Sequence, residues 1–118
     1  MKKTTKERHD MTVKELAKEL SLKALAEPDA DREAKGCYAG DLLSWVMGRA
    51  SADEVWVTIM TNLNIVAVAT LADVSCVIVA EEAEIAPDVC EKALEKGVNL
   101  YHSPLSTYEL CAKLSSLV

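Results

Sequence analysis

From residue 54 onward, segments suited to strands alternate with segments suited to helices, and that order restricts the fold more than any other feature of the chain. Glu54 to Met60 is rich in β-branched and aromatic residues, with Val55, Trp56, Val57 and Ile59, and reads as a strand. Ile65 to Leu71 is apolar throughout, so its periodicity fits a buried helix or a buried strand; Asn62 or Asn64 as an N-cap favours the helix. Cys76 to Val79 suits a strand buried on both faces, Pro87 opens a helix that Gly97 ends after Lys96, and Asn99 to His102 is a last strand. Ser106 and Glu109 form a capping box before Leu110, Cys111, Leu114 and Leu117. Strand, helix, strand, helix, strand, helix requires right-handed crossovers. The expected fold is α/β and three-layer, a mainly parallel sheet flanked by helices.

The first half is less regular. Thr12 and Glu15 make a capping box for a helix over 12–20 carrying Val13, Leu16, Ala17 and Leu20. Residues 22–26 read as a short strand ended by the turn at 27–29, and 32–39 as a second extended segment. Asp41 is predicted to cap a helix with Leu42, Leu43, Val46, Met47 and Ala50 on one apolar face. The ten residues before the first helix read as a flexible tail, leaving 11–118 as one domain.

Composition removes several classes of function. Half of the 118 residues are apolar, and no apolar run reaches the roughly 20 needed to cross a bilayer. The first ten residues lack the apolar core of a secretory signal, so the expected location is cytoplasmic and no membrane partner is expected. A net charge of −6 opposes nucleic-acid binding, and the basic cluster Lys2, Lys3, Lys6 and Arg8 reads as a solvated terminus. Cys37, Cys76, Cys90 and Cys111 are separated by 39, 14 and 21 positions, which is no zinc pattern; they read as core residues in a reducing compartment. No metal or cofactor is expected.

Three stretches carry a family likeness. The first is Asp31-Arg32, then Gly36, then Gly40-Asp41-Leu42-Leu43-Ser44; the second is Val55 to Ile59 followed by Ile65 to Leu71; the third is Thr107-Tyr108 opening the last helix. Over nearly residues 11 to 117 they resemble the DRTGG domain, a module related in fold to the N-terminal domain of HPr kinase/phosphorylase and found beside CBS domains and phosphotransacetylases. The resemblance implies a regulatory role and a homodimer. The motif that names the family is absent: its two loops read Thr61-Asn62-Leu63-Asn64 and Ala80-Glu81-Glu82 here. A Gly-rich loop at a helix N-terminus would offer N–H groups to an anion. Glu81, Glu82, Glu84 and Asp88 instead predict that no bare phosphate binds beside that strand.

In parallel sheets ligands sit beyond the carboxyl ends of the strands, which points to Thr61, Asn62, Asn64, His102, Ser103 and Thr107, with Asp41 from the helix start. Asn62 and Asn64 serve equally as helix caps, and the acidic loop equally as a solvated turn beside the positive end of the next helix. Asp31 and Arg32 read as a turn and an ion pair. The chain has no G-x-x-x-x-G-K-S/T and no G-x-S-x-G, so kinase and nucleophile-elbow chemistry have no carrier. The expectation is a non-catalytic regulatory module that senses a nucleotide or metabolite and acts in trans on a partner protein. An adaptor without ligand is the alternative, and a hydrolase built on His102 and Ser106 ranks third.

Overall fold

A computed structural model describes residues 11–118; the tail expected over 1–10, with its basic cluster, lies outside the described residues. The elements are α1 (Val13–Glu19), β1 (Lys23–Ala26), β2 (Cys37–Ala39), α2 (Leu43–Arg49), β3 (Val55–Thr58), α3 (Asn64–Ala72), β4 (Cys76–Val79), α4 (Pro87–Lys96), β5 (Leu100–His102) and α5 (Thr107–Leu114). The strands form one sheet in the order β1-β5-β4-β3-β2, parallel except for β1, which runs antiparallel to β5 along one edge. Residues 65–71 are helical, as expected, but neither Asn62 nor Asn64 is the N-cap: that position is Leu63, which makes no side-chain cap, and Asn64 is already in the helix.

Because β2 to β5 follow one another across the sheet, their right-handed crossovers place α2, α3 and α4 on a single face. The alternation of side chains divides the core accordingly. Trp56, Val77, Val79 and Leu100 pack with α2, α3 and α4, while Val55, Val57, Cys76, Ile78 and Tyr101 pack with α1 and α5. Strands β3 and β4 are buried on both faces, which explains their unbroken apolar runs.

Helix N-termini carry side-chain caps on one face and not on the other. Thr12 and Ser106 each accept from the N–H of the glutamate three residues on, and each glutamate accepts in return from the capping residue's N–H. The cap expected of Asp41 does not form. The α2 helix starts after Leu42 with no side-chain cap, because the Asp41 carboxylate accepts from Thr58 Oγ1 at 2.8 Å and Ile59 N at 2.9 Å. The single apolar face expected of α2 also fails: Val46 is buried and Leu43 and Ala50 half-buried, but Leu42, Trp45 and Met47 face solvent. Of the segment 32–39, only Cys37–Ala39 forms a strand, preceded by an isolated bridge between Thr12 and Glu33.

At the amino ends of the strands the chain is tied by polar side chains. Arg32 does not pair with Asp31 as expected. Its guanidinium donates to Asp53 Oδ1 at 2.8 and 3.1 Å, to Asp73 Oδ1 at 3.0 Å and to the Asp73 carbonyl at 2.6 Å. Both aspartates have left-handed backbone, φ 72° and 59°, just beyond the ends of α2 and α3. Burial works against the Arg32 charge, but the two carboxylates more than offset it and raise its pKa. Buried Asn99 adds a second tie, with its amide donating to the carbonyls of Asp29 and Ser75 and accepting from Asp29 N.

Candidate ligand site

The loops at the carboxyl ends of the strands diverge at one place. The loop after β4 leads to α4 on one face, whereas the loop after β5 leads to α5 on the other. Such a switch point opens the crevice where ligands of parallel sheets bind. Here it is closed by the chain itself. Glu81 N donates to the Leu105 carbonyl at 2.9 Å and Glu82 N to the Ser103 carbonyl at 3.1 Å, and Thr107 N at the start of α5 donates to Glu81 Oε2 at 3.3 Å.

Glu81 and Glu82 stand where the DRTGG pattern has its two glycines, and both have positive φ, 63° and 57°. Left-handed backbone costs a residue with a side chain about 1–2 kcal/mol. The turn has the backbone that glycine adopts most readily but carries glutamates, and it is held by the hydrogen bonds just described. Its N–H groups face carbonyls and its carboxylate faces α5, an arrangement that suits the predicted exclusion of a bare phosphate.

The candidate residues fall into two groups on either side of this closed crevice. At the end of β3, Asn62 Oδ1 accepts from Asn64 N at 2.9 Å, Asp41 is held by Thr58 and Ile59, and Thr61 is half-buried between them in sequence. Trp56 on β3 is fully buried, its indole N–H donating to the Gly40 carbonyl at 2.9 Å. Gly40 lies close to the Tyr38 ring: a Cβ there would stand 3.0 Å from it, so a larger residue would need the ring to move by a few tenths of an ångström. At the end of β5, Ser103 is buried and its hydroxyl accepts from Leu105 N at 3.1 Å, so its role is to form the turn. The Thr107 N–H is committed to Glu81.

His102 borders a cavity of about 370 Å³ together with Lys23, Leu25, Glu82, Glu84 and Ile85. Its Nε2 is shielded from solvent and has no hydrogen-bond partner among the described residues. Lys23 faces His102 across the antiparallel β1–β5 pair. Sequence reasoning named His102 but missed Lys23, since nothing local to a short edge strand tells which residue it will oppose. Glu82 and Glu84 were noticed only as part of an acidic turn. The cavity offers two aliphatic side chains, one ammonium, two carboxylates and an imidazole.

Three groups away from this cavity have raised pKa values. Burial, then the Glu27 carboxylate accepting from its hydroxyl at 2.5 Å, pushes the Tyr101 phenol's pKa up. Burial, then the neighbouring Cys111 thiol, pushes Cys37 up to about 12, and burial pushes Cys76 up to about 12. Thiols so disfavoured as thiolates are poor nucleophiles. Among the described residues no three His, Cys, Asp or Glu side chains are grouped to hold a metal ion, and no helix is long and apolar enough to cross a membrane.

Sheet order, helix layers and the closed switch point together define a three-layer α/β domain of DRTGG-like fold. No family model and no curated protein matches the chain. Among solved structures it is similar to the CBS and DRTGG domains of the regulatory region of Clostridium perfringens pyrophosphatase, crystallised with its activator diadenosine tetraphosphate. The likeness has a TM-score of 0.71 at 15% identity and covers 91% of this chain and 45% of that one. The chain thus spans less than half of the structure it resembles, and the resemblance is one of fold.

Proposed function

We propose that the chain, as a single domain over 11–118, is a non-catalytic regulatory module that senses a nucleotide or metabolite at the carboxyl ends of its strands. In this reading it works as a homodimer in the cytoplasm and acts in trans on a partner protein. The observation that carries it is the likeness over 91% of the chain to a regulatory region crystallised with a nucleotide activator. The cavity beside His102 supports it with a place of suitable size for a small ligand. Glu82 and Glu84 on its rim favour a ligand that presents a hydrogen-bond donor or a cationic group there, such as the amino edge of a base, with any phosphates directed away. Asp41, Thr61, Asn62 and Asn64 form the second contact region in this proposal.

Thermal-shift and Trp-fluorescence titrations with nucleosides, mono- and dinucleotides and amino acids at millimolar concentration test it. A ligand present at a hundredfold its Kd stabilises the fold by about 2.7 kcal/mol. His102→Ala and Glu84→Ala should each reduce the shift. If no compound shifts the melt, ligand sensing is wrong. The adaptor reading then stands, and one observation already favours it: the switch-point crevice is filled by Glu81, Ser103, Leu105 and Thr107. Co-purification of a protein but no small molecule from native cells would choose the adaptor.

A further inference from the structure

Helix α3 has the sequence NIVAVATLA over residues 64–72, without one charged side chain. A helix apolar on every side is normally covered on every side. Ile65, Val66, Val68 and Ala69 are buried, yet Ala67, Thr70 and Leu71 are open to solvent, Leu71 at 70% exposure. Leu63, Val66, Ala67, Thr70 and Leu71 recur at helical spacing as one stripe, the floor of a groove of about 350 Å³. On the α4 side the groove is bordered by Lys92 and Lys96. These lysines are one turn apart, roughly 6 Å along the helix axis. Lys92 reaches Glu95 at 3.5 Å, and Lys96 pairs with no carboxylate among the described residues.

The charge on the wall selects the occupant. A second copy meeting this groove about a twofold axis through it would set Lys92 and Lys96 against their own equivalents, which repel. An acidic helix would be attracted to them. We propose that the α3–α4 groove docks an amphipathic helix of a partner protein, with apolar residues at i, i+3 or i+4 and i+7 and two acidic residues one turn apart beside them. The stripe from Leu63 to Leu71 is about 12 Å long, enough for two turns of such a helix. Leu63 lies between Asn62 and Asn64, so the docked helix ends beside the proposed ligand loop. The inference deepens the regulatory reading and rests on it for the consequence of docking. Docking itself is measured without ligand, so either can fail alone.

The probe is a fluorescein-labelled designed peptide with this leucine stripe and two glutamates, compared with the same peptide carrying two lysines. Both are titrated with the full chain by fluorescence anisotropy. The acidic peptide should bind about tenfold more tightly or better. Leu71→Asp should abolish binding with the melting temperature nearly unchanged, because Leu71 is exposed, and Ala67→Glu should act likewise. Lys92→Glu with Lys96→Glu should reverse the peptide preference. No binding, equal binding of both peptides, or binding unaffected by these variants would overturn the proposal. So would light scattering that shows a dimer dissociated by Leu71→Asp, which would assign the groove to a second copy.

Discussion

On one face of the sheet, α1 and α5 begin with complete capping boxes at Thr12 and Ser106 and, apart from Tyr108, expose no large apolar side chain. On the other, the capping positions of α2, α3 and α4 are Leu42, Leu63 and Ala86, none of which makes a side-chain cap, and the layer exposes Leu42, Trp45, Met47, Leu63, Leu71 and Leu94. The helix starts of the first layer are specified by contacts three residues apart, and Val13 N and Lys14 N add bonds to the Arg32 and Ala30 carbonyls. The second layer is held by the sheet beneath it and by polar ties from distant segments, and its outer surface is left apolar. It is therefore the layer that presents apolar surface of the kind the docking proposal needs.

The largest test of that division is Trp56→Ala. Trp56 is fully buried under the second layer and its indole N–H holds the Gly40 carbonyl, so its removal should cost about 3–5 kcal/mol by urea denaturation. A cost below about 1 kcal/mol would mean that α2 and α3 are not held from beneath. Next is Arg32→Met, which frees the segments just beyond α2 and α3. Hydrogen bonds to charged groups contribute about 1.5–3 kcal/mol, and the exposure of Asp73 lowers the expected loss to about 1–2 kcal/mol. Hydrogen exchange should quicken at Asp53, Asp73 and Ser75; a uniform response would remove the clamp from the account.

Smaller effects probe the capped layer. Thr12→Ala and Ser106→Ala should each cost about 1 kcal/mol. Asn62→Ala should cost less than either, and an equal loss would show that α3 is capped after all. The smallest expected effect is a pH dependence. The N–H of Ser106, and then its hydroxyl, hold the Glu109 carboxylate's pKa below its ordinary value. A lowered folded pKa gives stability that is complete above the unfolded value of about 4.3 and is lost as pH falls through the folded value. Glu109→Gln should flatten that acid limb of the stability curve and leave neutral pH little changed, as acid titration of the melting temperature will show.

The legibility of the chain follows the same division. Both capping boxes, the strand at Val55–Thr58, the helix that Gly97 ends in left-handed conformation at φ 75°, and the layered α/β class could be read from residues close in sequence. Asp41 was misread because its local position is that of a cap, while Thr58 and Ile59, 17 and 18 residues away, compete for its carboxylate and hold it. Arg32 was assigned to its neighbour Asp31, yet its partners lie 21 and 41 positions ahead. The candidate residues do lie around the strand ends, but their separation by the closed loop at Glu81 and the pairing of Lys23 with His102 depend on sheet order and register.

The sequence alone determined most of the segments that become helices or strands, 65–71 excepted, and that parallel crossovers join them, because capping, side-chain alternation and turn preference act between residues already tethered near one another. Tertiary structure alone decided where the polar side chains are used and which helical face stays uncovered. Those outcomes depend on which distant residues the sheet register brings within about 3 Å, and a hydrogen bond formed across such a gap overrides a local preference of about 1 kcal/mol.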